Sequence, residues 1–277
     1  MKYPLGLSKL LRPACTNIKC SVGSPSIRTT VRPNHTKSLQ NSKCLITGGS
    51  RGIGKAIALA FARQGAQCTL IGRNAENLRT SVAELGQTSS ASPRPFDDSD
   101  SRHTYLAGDV SNPKFWQDVT LPHGGVDVLV NAAGITHSAL LVRTQTEKAR
   151  EIVDTNLMGT IWACRAIGKI MLRKRAGCIV NISSLLGVHG GEGSAVYAAS
   201  KAGVVGLTRA LAAELGPKGV RVNAVLPGYV ETDMTAGRYI NSNHHDFECP
   251  REACSVDRLQ YTTSGVIYGK TPSQLAL

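Results

Sequence analysis

From Lys43 onward the hydrophobic pattern alternates between strand-length runs and helix-length stripes. Residues 44–47 (C-L-I-T) form a short apolar run, followed at once by a glycine cluster. A helix then runs to about Gln64, with Ile53, Ile57 and Phe61 at i, i+4, i+8 and Gly65 as its stop. Cys68 to Gly72 predicts a second strand. The next helix is opened by Asn74 and stopped by Gly86, with Leu78, Val82 and Leu85 inward. Residues 87–102, rich in Ser, Pro, Asp and Arg, predict an exposed loop. Further strands are predicted at Tyr105–Ala107, Val126–Val130, Cys178–Ile182 and Val220–Leu226, the last ending at Pro227. Between them lie one turn of helix within Asn112 to Gly124, a long helix from Thr146 to Arg175, a glycine-rich loop, and a helix from Ser194 to Leu215. Strands alternating with helices through right-handed crossovers give an α/β fold, a Rossmann-like doubly wound parallel sheet flanked by helices. No repeat and no long linker marks a second domain over 43–234.

Composition narrows the class. Apolar residues at 42% exclude a disordered chain, and aromatics at 5% argue against a nucleic-acid reader built on base stacking. No stretch approaches 18 uninterrupted apolar residues, so no membrane span is predicted. The net charge of +13 is concentrated at one end. Seven of the 32 basic residues precede Ser42, and the first acidic residue is Glu76. Residues 1–42, basic, rich in Ser and Thr and without a long apolar core, match a mitochondrial transit peptide, which implies the matrix. A merely disordered basic arm is the plainer alternative, and nucleic-acid binding by it is weaker still. Cys44, Cys68, Cys164 and Cys178 sit in apolar runs and read as core residues. His244, His245, Cys249 and Cys254 cluster in the tail, but C-x4-C without a second ligand pair is a poor zinc pattern, and no metal is expected.

The stretch T-G-G-S-R-G-I-G, comprising Thr47, Gly48, Gly49, Ser50, Arg51, Gly52, Ile53 and Gly54, lies between a strand and a helix. There, glycines let backbone approach a pyrophosphate, and free amides at the helix start face its charge. Arg73 ends the second strand, where an acidic residue would hold the ribose 2′-hydroxyl of NAD; a cation favours the 2′-phosphate, so NADPH is the expected cofactor. Arg51 can add a second cation. Tyr197 and Lys201, four apart, project from one helix face. An ammonium beside a phenol favours phenolate, which fits Tyr197 for proton exchange with a carbonyl oxygen. Ser184, at the end of the fifth strand, can hydrogen-bond the same oxygen.

Further motifs complete the set. Asp109 and Val110 follow the third strand, N-A-A-G (Asn131, Ala132, Ala133, Gly134) closes the fourth, and Asn156 lies in the long helix. Y-A-A-S-K holds Tyr197 and Lys201, and P-G-Y-V-E-T spans Pro227, Gly228, Tyr229, Val230, Glu231 and Thr232. Together these resemble the short-chain dehydrogenase/reductase family from about Lys43 to Met234. L-V-R-T at Leu141 to Thr144 and N-A-V-L-P-G look most like the 3-oxoacyl-[acyl-carrier-protein] reductases. The resemblance implies NADPH-dependent reduction of 3-oxoacyl groups on acyl carrier protein, with a carbonyl or quinone reductase as the alternative. It implies Asn156, Ser184, Tyr197 and Lys201 as the catalytic group, with Asn156 holding a water that relays protons to Lys201. Tyr197 and Lys201 also contact the cofactor, as do Thr47, Asn131, Pro227, Gly228, Val230 and Thr232. It further implies homo- or hetero-oligomers, and places Arg175 and Lys218 where carrier-docking cations are found, near the active-site mouth.

The tail departs from that pattern. Residues 235–277 lack the family's lid, helix and final D-G-G-like strand; only Tyr261 to Gly269 (Y-T-T-S-G-V-I-Y-G) predicts a strand. A rewritten end or a divergent substrate cap both fit. A poorly active nucleotide-binding subunit therefore stands beside the enzyme reading.

Overall fold

The computed structural model describes residues 39–87, 102–230, 232 and 233, together with the backbone of 264–269. All of them fall in one compact unit, Lys37–Leu277. The predicted leader, except for 39–42, and the potential metal ligands of the tail lie outside the described residues, as do 88–101 of the predicted loop.

Seven parallel strands form a single sheet in the order β3-β2-β1-β4-β5-β6-β7. They are β1 (Lys43–Thr47), β2 (Gln67–Gly72), β3 (Thr104–Ala107), β4 (Val128–Asn131), β5 (Gly177–Ile182), β6 (Val220–Pro227) and β7 (Ser264–Gly269). The helices are α1 (Gly52–Arg63), α2 (Ala75–Gln87), α3 (Pro113–Asp118), α4 (Thr146–Val153), α5 (Gly159–Lys174), α6 (Leu186–His189) and α7 (Ala195–Leu215).

Alternation along the strands splits the core into two layers. Ile46, Leu70, Val130 and Val180 face α1 and α2, where Ile57, Phe61, Leu78 and Val82 meet them. Leu45, Ile71, Leu129 and Ile179 face the other side, against Ile167 and Met171 of α5 and Ala212 and Leu215 of α7. Each such Leu or Ile stabilises the fold by about 1.5–3 kcal/mol through burial. Cys44, Cys68, Cys164 and Cys178 are buried free thiols. Burial pushes Cys68 and Cys164 up to about 12, so they are packing groups and not nucleophiles.

Local signals explain several boundaries. Asn74 Oδ1 accepts the Asn77 amide at 2.9 Å and opens α2, and Asn112 Oδ1 accepts the Lys114 amide at 2.9 Å ahead of Pro113. Gly65 (φ 84°) stops α1.

Four details differ from expectation. Gly86 lies inside the last turn of α2, which runs to Gln87. The fourth strand starts at Val128, two residues later than predicted. The glycine-rich loop after β5 contains the short α6. The long helix is interrupted by one π turn, Asp154–Met158, and ends at Lys174, with Arg175 left-handed at φ 54°. The tail's predicted strand is present in part, as β7, paired with β6 from Val222↔Ser264 to Pro227↔Gly269.

Candidate active site

Strand order reverses between β1 and β4, which opens a crevice beyond their C-terminal ends. Thr47 spans it: its buried hydroxyl accepts the amides of Ala132 and Ala133, both at 3.1 Å. The glycine loop is built for close approach. Gly48 has φ 68°, and a Cβ there would stand 2.8 Å from the Ala133 backbone. One on Gly54 would run into the Gly48 carbonyl. Gly52 (φ 55°) begins α1, and Thr232 Cγ2 lies 3.5 Å from where its Cβ would be. A bare backbone cradle at the start of a helix fits a dinucleotide pyrophosphate.

Gly48, Ser50, Arg51, Gly52, Ile53, Gly54, Arg73, Asp109, Val110, Ala132, Ala133, Gly134 and Thr232 line this one cleft. Arg51 and Arg73 are both exposed at it. Asp109 Oδ1 accepts from the Ser111 amide at 2.9 Å and hydroxyl at 2.8 Å, which shapes the turn after β3. The Val110 carbonyl accepts the Trp116 indole N–H at 2.9 Å.

Thr47 and Asn131 are buried at the ends of β1 and β4 and bonded to protein. Asn131 Nδ2 donates to Asn181 Oδ1 at 2.9 Å across the register-paired ends of β4 and β5, behind the crevice. Pro227 ends β6, where its carbonyl accepts the Leu185 amide at 3.0 Å, and Gly228 lies against Leu185. Both therefore pack on the segment that carries Ser184. Val230, half-buried, follows two residues on.

The candidate reaction group gathers at the neighbouring strand ends. Ser184 follows β5; its Oγ accepts the Leu186 amide at 3.2 Å, so the hydroxyl proton remains to be donated. Lys201 Nζ lies 5.9 Å from the Tyr197 ring centroid. That ammonium donates to the Ile182 carbonyl at 2.8 Å, and burial pulls Lys201 down to about 8. A Cβ on Gly134 would sit 3.2 Å from Asn156 Oδ1 and 3.5 Å from Lys201 Nζ, so the end of N-A-A-G abuts both. Asn156 lies in the π turn, fully buried. Its side chain is occupied by protein: Oδ1 accepts the Ile135 amide at 2.8 Å, and Nδ2 donates to the Ile135 carbonyl and Ser200 Oγ, both at 3.0 Å. These bonds use both Nδ2 hydrogens and one of the two Oδ1 lone pairs, so the side chain ties the π turn to the loop at Ile135 and to Ser200.

Several neighbours in the cleft carry no motif of their own. Gly72, Gly108, Ile135, Thr155 and Asp233 line the cleft. Ser183 Oγ donates to the Lys201 carbonyl at 2.8 Å and clamps α7 to β5. A serine beside a candidate serine and one inside Y-A-A-S-K were visible; what they bond is not a property of sequence spacing.

Arg175 and Lys218 are exposed, and the Arg175 carbonyl abuts Gly219, so the two segments meet. They precede β5 and β6, at the edge of the sheet opposite Ser184. The six residues of β5 put them about 20 Å from it. The expectation that they flank this chain's own active-site mouth is therefore corrected by the parallel direction of β5 and β6.

Residues 42–242 match the family described as short chain dehydrogenase. The chain belongs to that family. Its relatives include the 3-oxoacyl-[acyl-carrier-protein] reductases of Bos taurus, 42% identical over 69% of this chain and 77% of the relative, and of Homo sapiens, with the same identity and coverage. Carbonyl reductase family member 4 of Xenopus tropicalis is 39% identical over 70% of this chain and 78% of its own. Among solved structures, levodione reductase is 31% identical with a TM-score of 0.64, covering 70% of this chain and 74% of its own. A candidate NAD(P)-dependent gluconate 5-dehydrogenase from Beutenbergia cavernae carries NADP at low occupancy. It is 35% identical, with a TM-score of 0.62 over 72% of this chain and 76% of that one. Short-chain dehydrogenases are oxidoreductases that bind NAD(P), and the glycine cradle described above is where this chain would hold it.

Proposed function

We propose that the chain is an NADPH-dependent reductase of 3-oxoacyl groups carried on acyl carrier protein, producing the 3-hydroxyacyl group. The observation that carries the reaction is Lys201 Nζ beside the Tyr197 ring, with Gly134 of the cleft wall abutting Lys201 and Asn156, and with Ser184 next to Ser183, which bonds the Lys201 carbonyl. The carrier-bound substrate rests on the reductases of cattle and man at 42% identity. The cofactor form rests on Arg51 and Arg73, two cations in one cleft.

When bound, the dinucleotide supplies a hydride to the carbonyl carbon. Ser184 donates its hydroxyl proton in a hydrogen bond to the carbonyl oxygen, and Tyr197 hands that oxygen its phenol proton. Lys201, held by Ile182, stabilises the tyrosinate left behind. Asn156 and Ser183 keep the turn that carries Tyr197 and Lys201 in place. The basic leader supports a mitochondrial location for this activity.

Carrier docking at Arg175 and Lys218 requires a second copy of the chain, or a related subunit, to bring its mouth alongside their edge of the sheet. A small-carbonyl or quinone reductase is the second reading, favoured by the Xenopus carbonyl reductase relative.

Stopped-assay comparison of NADPH oxidation with a 3-oxoacyl carrier protein, a 3-oxoacyl thioester mimic and a quinone tests the proposal. A higher kcat/KM for the carrier-bound ketone is expected. Turnover of the quinone alone would overturn the substrate assignment. Loss of all turnover in the intact chain, with nucleotide binding kept, would favour the non-catalytic subunit.

A further inference from the structure

We propose that Ser200 is a positioning residue for this reaction: its hydroxyl latches the Tyr197–Lys201 turn of α7 to Asn156 and, through it, to the loop after β4. Its effect on turnover rests on the reductase reading; the contact itself does not.

The hydrogen-bond directions are fixed by counting protons. Ser200 Oγ lies 2.7 Å from the Tyr197 carbonyl, which can only accept, so the single hydroxyl proton goes there. The oxygen is left to accept, and Asn156 Nδ2 stands 3.0 Å away. The amide is oriented independently, because Oδ1 takes the Ile135 N–H and Nδ2 gives to the Ile135 carbonyl. Turning the amide over would set oxygen against oxygen. Asn156 and Ser200 are 0% and 1% exposed, so no water competes for these bonds.

A serine inside a helix ordinarily satisfies itself on a carbonyl one turn back, and that alone would be unremarked. The second bond is what an ordinary helix serine lacks. It joins three segments that are distant in sequence: the loop at Ile135, the π turn at Asn156 and the turn of α7 between the candidate proton donor and its lysine. The π turn is what presents Asn156 to this junction, and Gly134 on the same loop abuts Lys201 Nζ. A shift of Ser200 therefore moves Tyr197, Lys201 and the cleft wall at Ile135 relative to each other.

The test uses the full chain with Ser200→Ala, Ser200→Thr, Ser200→Cys, Asn156→Ala and the Ser200→Ala/Asn156→Ala double variant. Three readouts are taken: hydrogen exchange at the Ile135 amide, NADPH affinity by calorimetry, and kcat. Ser200→Ala should speed exchange at Ile135 about tenfold or more and lower kcat roughly ten- to a hundredfold, the cost of a displaced reacting group. NADPH affinity should fall less than kcat does, because the glycine cradle, which does not include Ser200, stays in place. Ser200→Thr, which keeps the hydroxyl, should restore most of both losses, and Ser200→Cys should fall between. The double variant should be no worse than the poorer single one. Unchanged Ile135 exchange and kcat in folded Ser200→Ala would overturn the proposal, as would effects that multiply in the double variant. If Ser200→Ala does not fold, a Cys variant equal to Thr in both readouts would overturn it instead. If the unmutated chain reduces no carbonyl compound, the reductase reading falls, and exchange at Ile135 alone decides the latch.

Discussion

Arg73 takes the place at the end of β2 where a carboxylate would select the free ribose, and it shares the cleft with Arg51. A charge-assisted bond to a 2′-phosphate contributes about 1.5–3 kcal/mol, roughly ten- to a hundredfold in affinity. Wild-type protein should therefore bind NADPH at least tenfold more tightly than NADH, and Arg73→Asp should abolish or reverse that order. Equal affinities for the two nucleotides in the unmutated chain, measured by calorimetry, would remove the assignment. A second residue matters to stability alone. His103 is buried at the start of β3 and accepts the Cys68 amide on Nδ1 at 3.2 Å. Burial first, then Arg102 and His123, hold it down to about 4 from an ordinary 6.5. The unfolded chain takes up this proton first as pH falls, so stability drops between about pH 6.5 and 4, by up to about 3 kcal/mol. Urea midpoints should follow that slope, and His103→Asn should flatten it. An unchanged slope in the variant would assign the loss to other groups, His123 among them.

At the scale of elements, the loop between β1 and α1 is packed too closely to admit side chains at Gly48 and Gly54. Gly54 faces the Gly48 carbonyl so closely that any Cβ must displace the loop. Gly54→Ala should cost at least tenfold in NADPH affinity while the chain stays folded, seen as a weak calorimetric response beside a retained cooperative melt. Full affinity would mean the loop yields easily and the cradle is not its purpose. The same scale shows what the residue pattern conveyed. Strand and helix order, the tight glycine loop after β1 and the neighbouring Tyr197 and Lys201 on α7 were legible, because apolar periodicity and short motifs are local properties. The π turn was not, since Thr146 to Lys174 carries one continuous apolar stripe and nothing local marks the extra residue at Asn156. The bonds of Thr47 to Ala132 and Ala133 and of Asn131 to Asn181 were not legible either, because they exist only once β1, β4 and β5 are side by side. β7 could be read as a strand, but not as the partner of β6, because pairing across 36 residues of intervening chain leaves no local trace.

For the whole molecule, the direction of the sheet decides how a carrier protein can be used. Every strand runs parallel, so segments that enter strands and segments that leave them lie at opposite edges. Arg175 and Lys218 belong to the entering edge, and the cleft with Ser184 belongs to the leaving one, about 20 Å away along β5. On the docking reading proposed above, an acidic carrier held by the cation pair on one chain would present its acyl group to the mouth of another. This makes docking and assembly a single requirement. In Arg175→Glu and Lys218→Glu variants, kcat/KM should fall for a carrier-bound 3-oxoacyl substrate and stay constant for the small thioester mimic. Added salt should lower only the carrier-bound rate in wild type, since steering between exposed charges is screened beyond a Debye length of about 8 Å at physiological ionic strength. Dilution to monomer should produce the same selective loss without any substitution, and mixing each charge variant with a Tyr197→Phe chain should restore carrier-dependent turnover. In the mixture, intact cations on the inactive chain face an intact Tyr197 on the charge variant. Failure of that complementation, with both chains assembled, would return the two cations to an ordinary helix-end role beside α5 and α7.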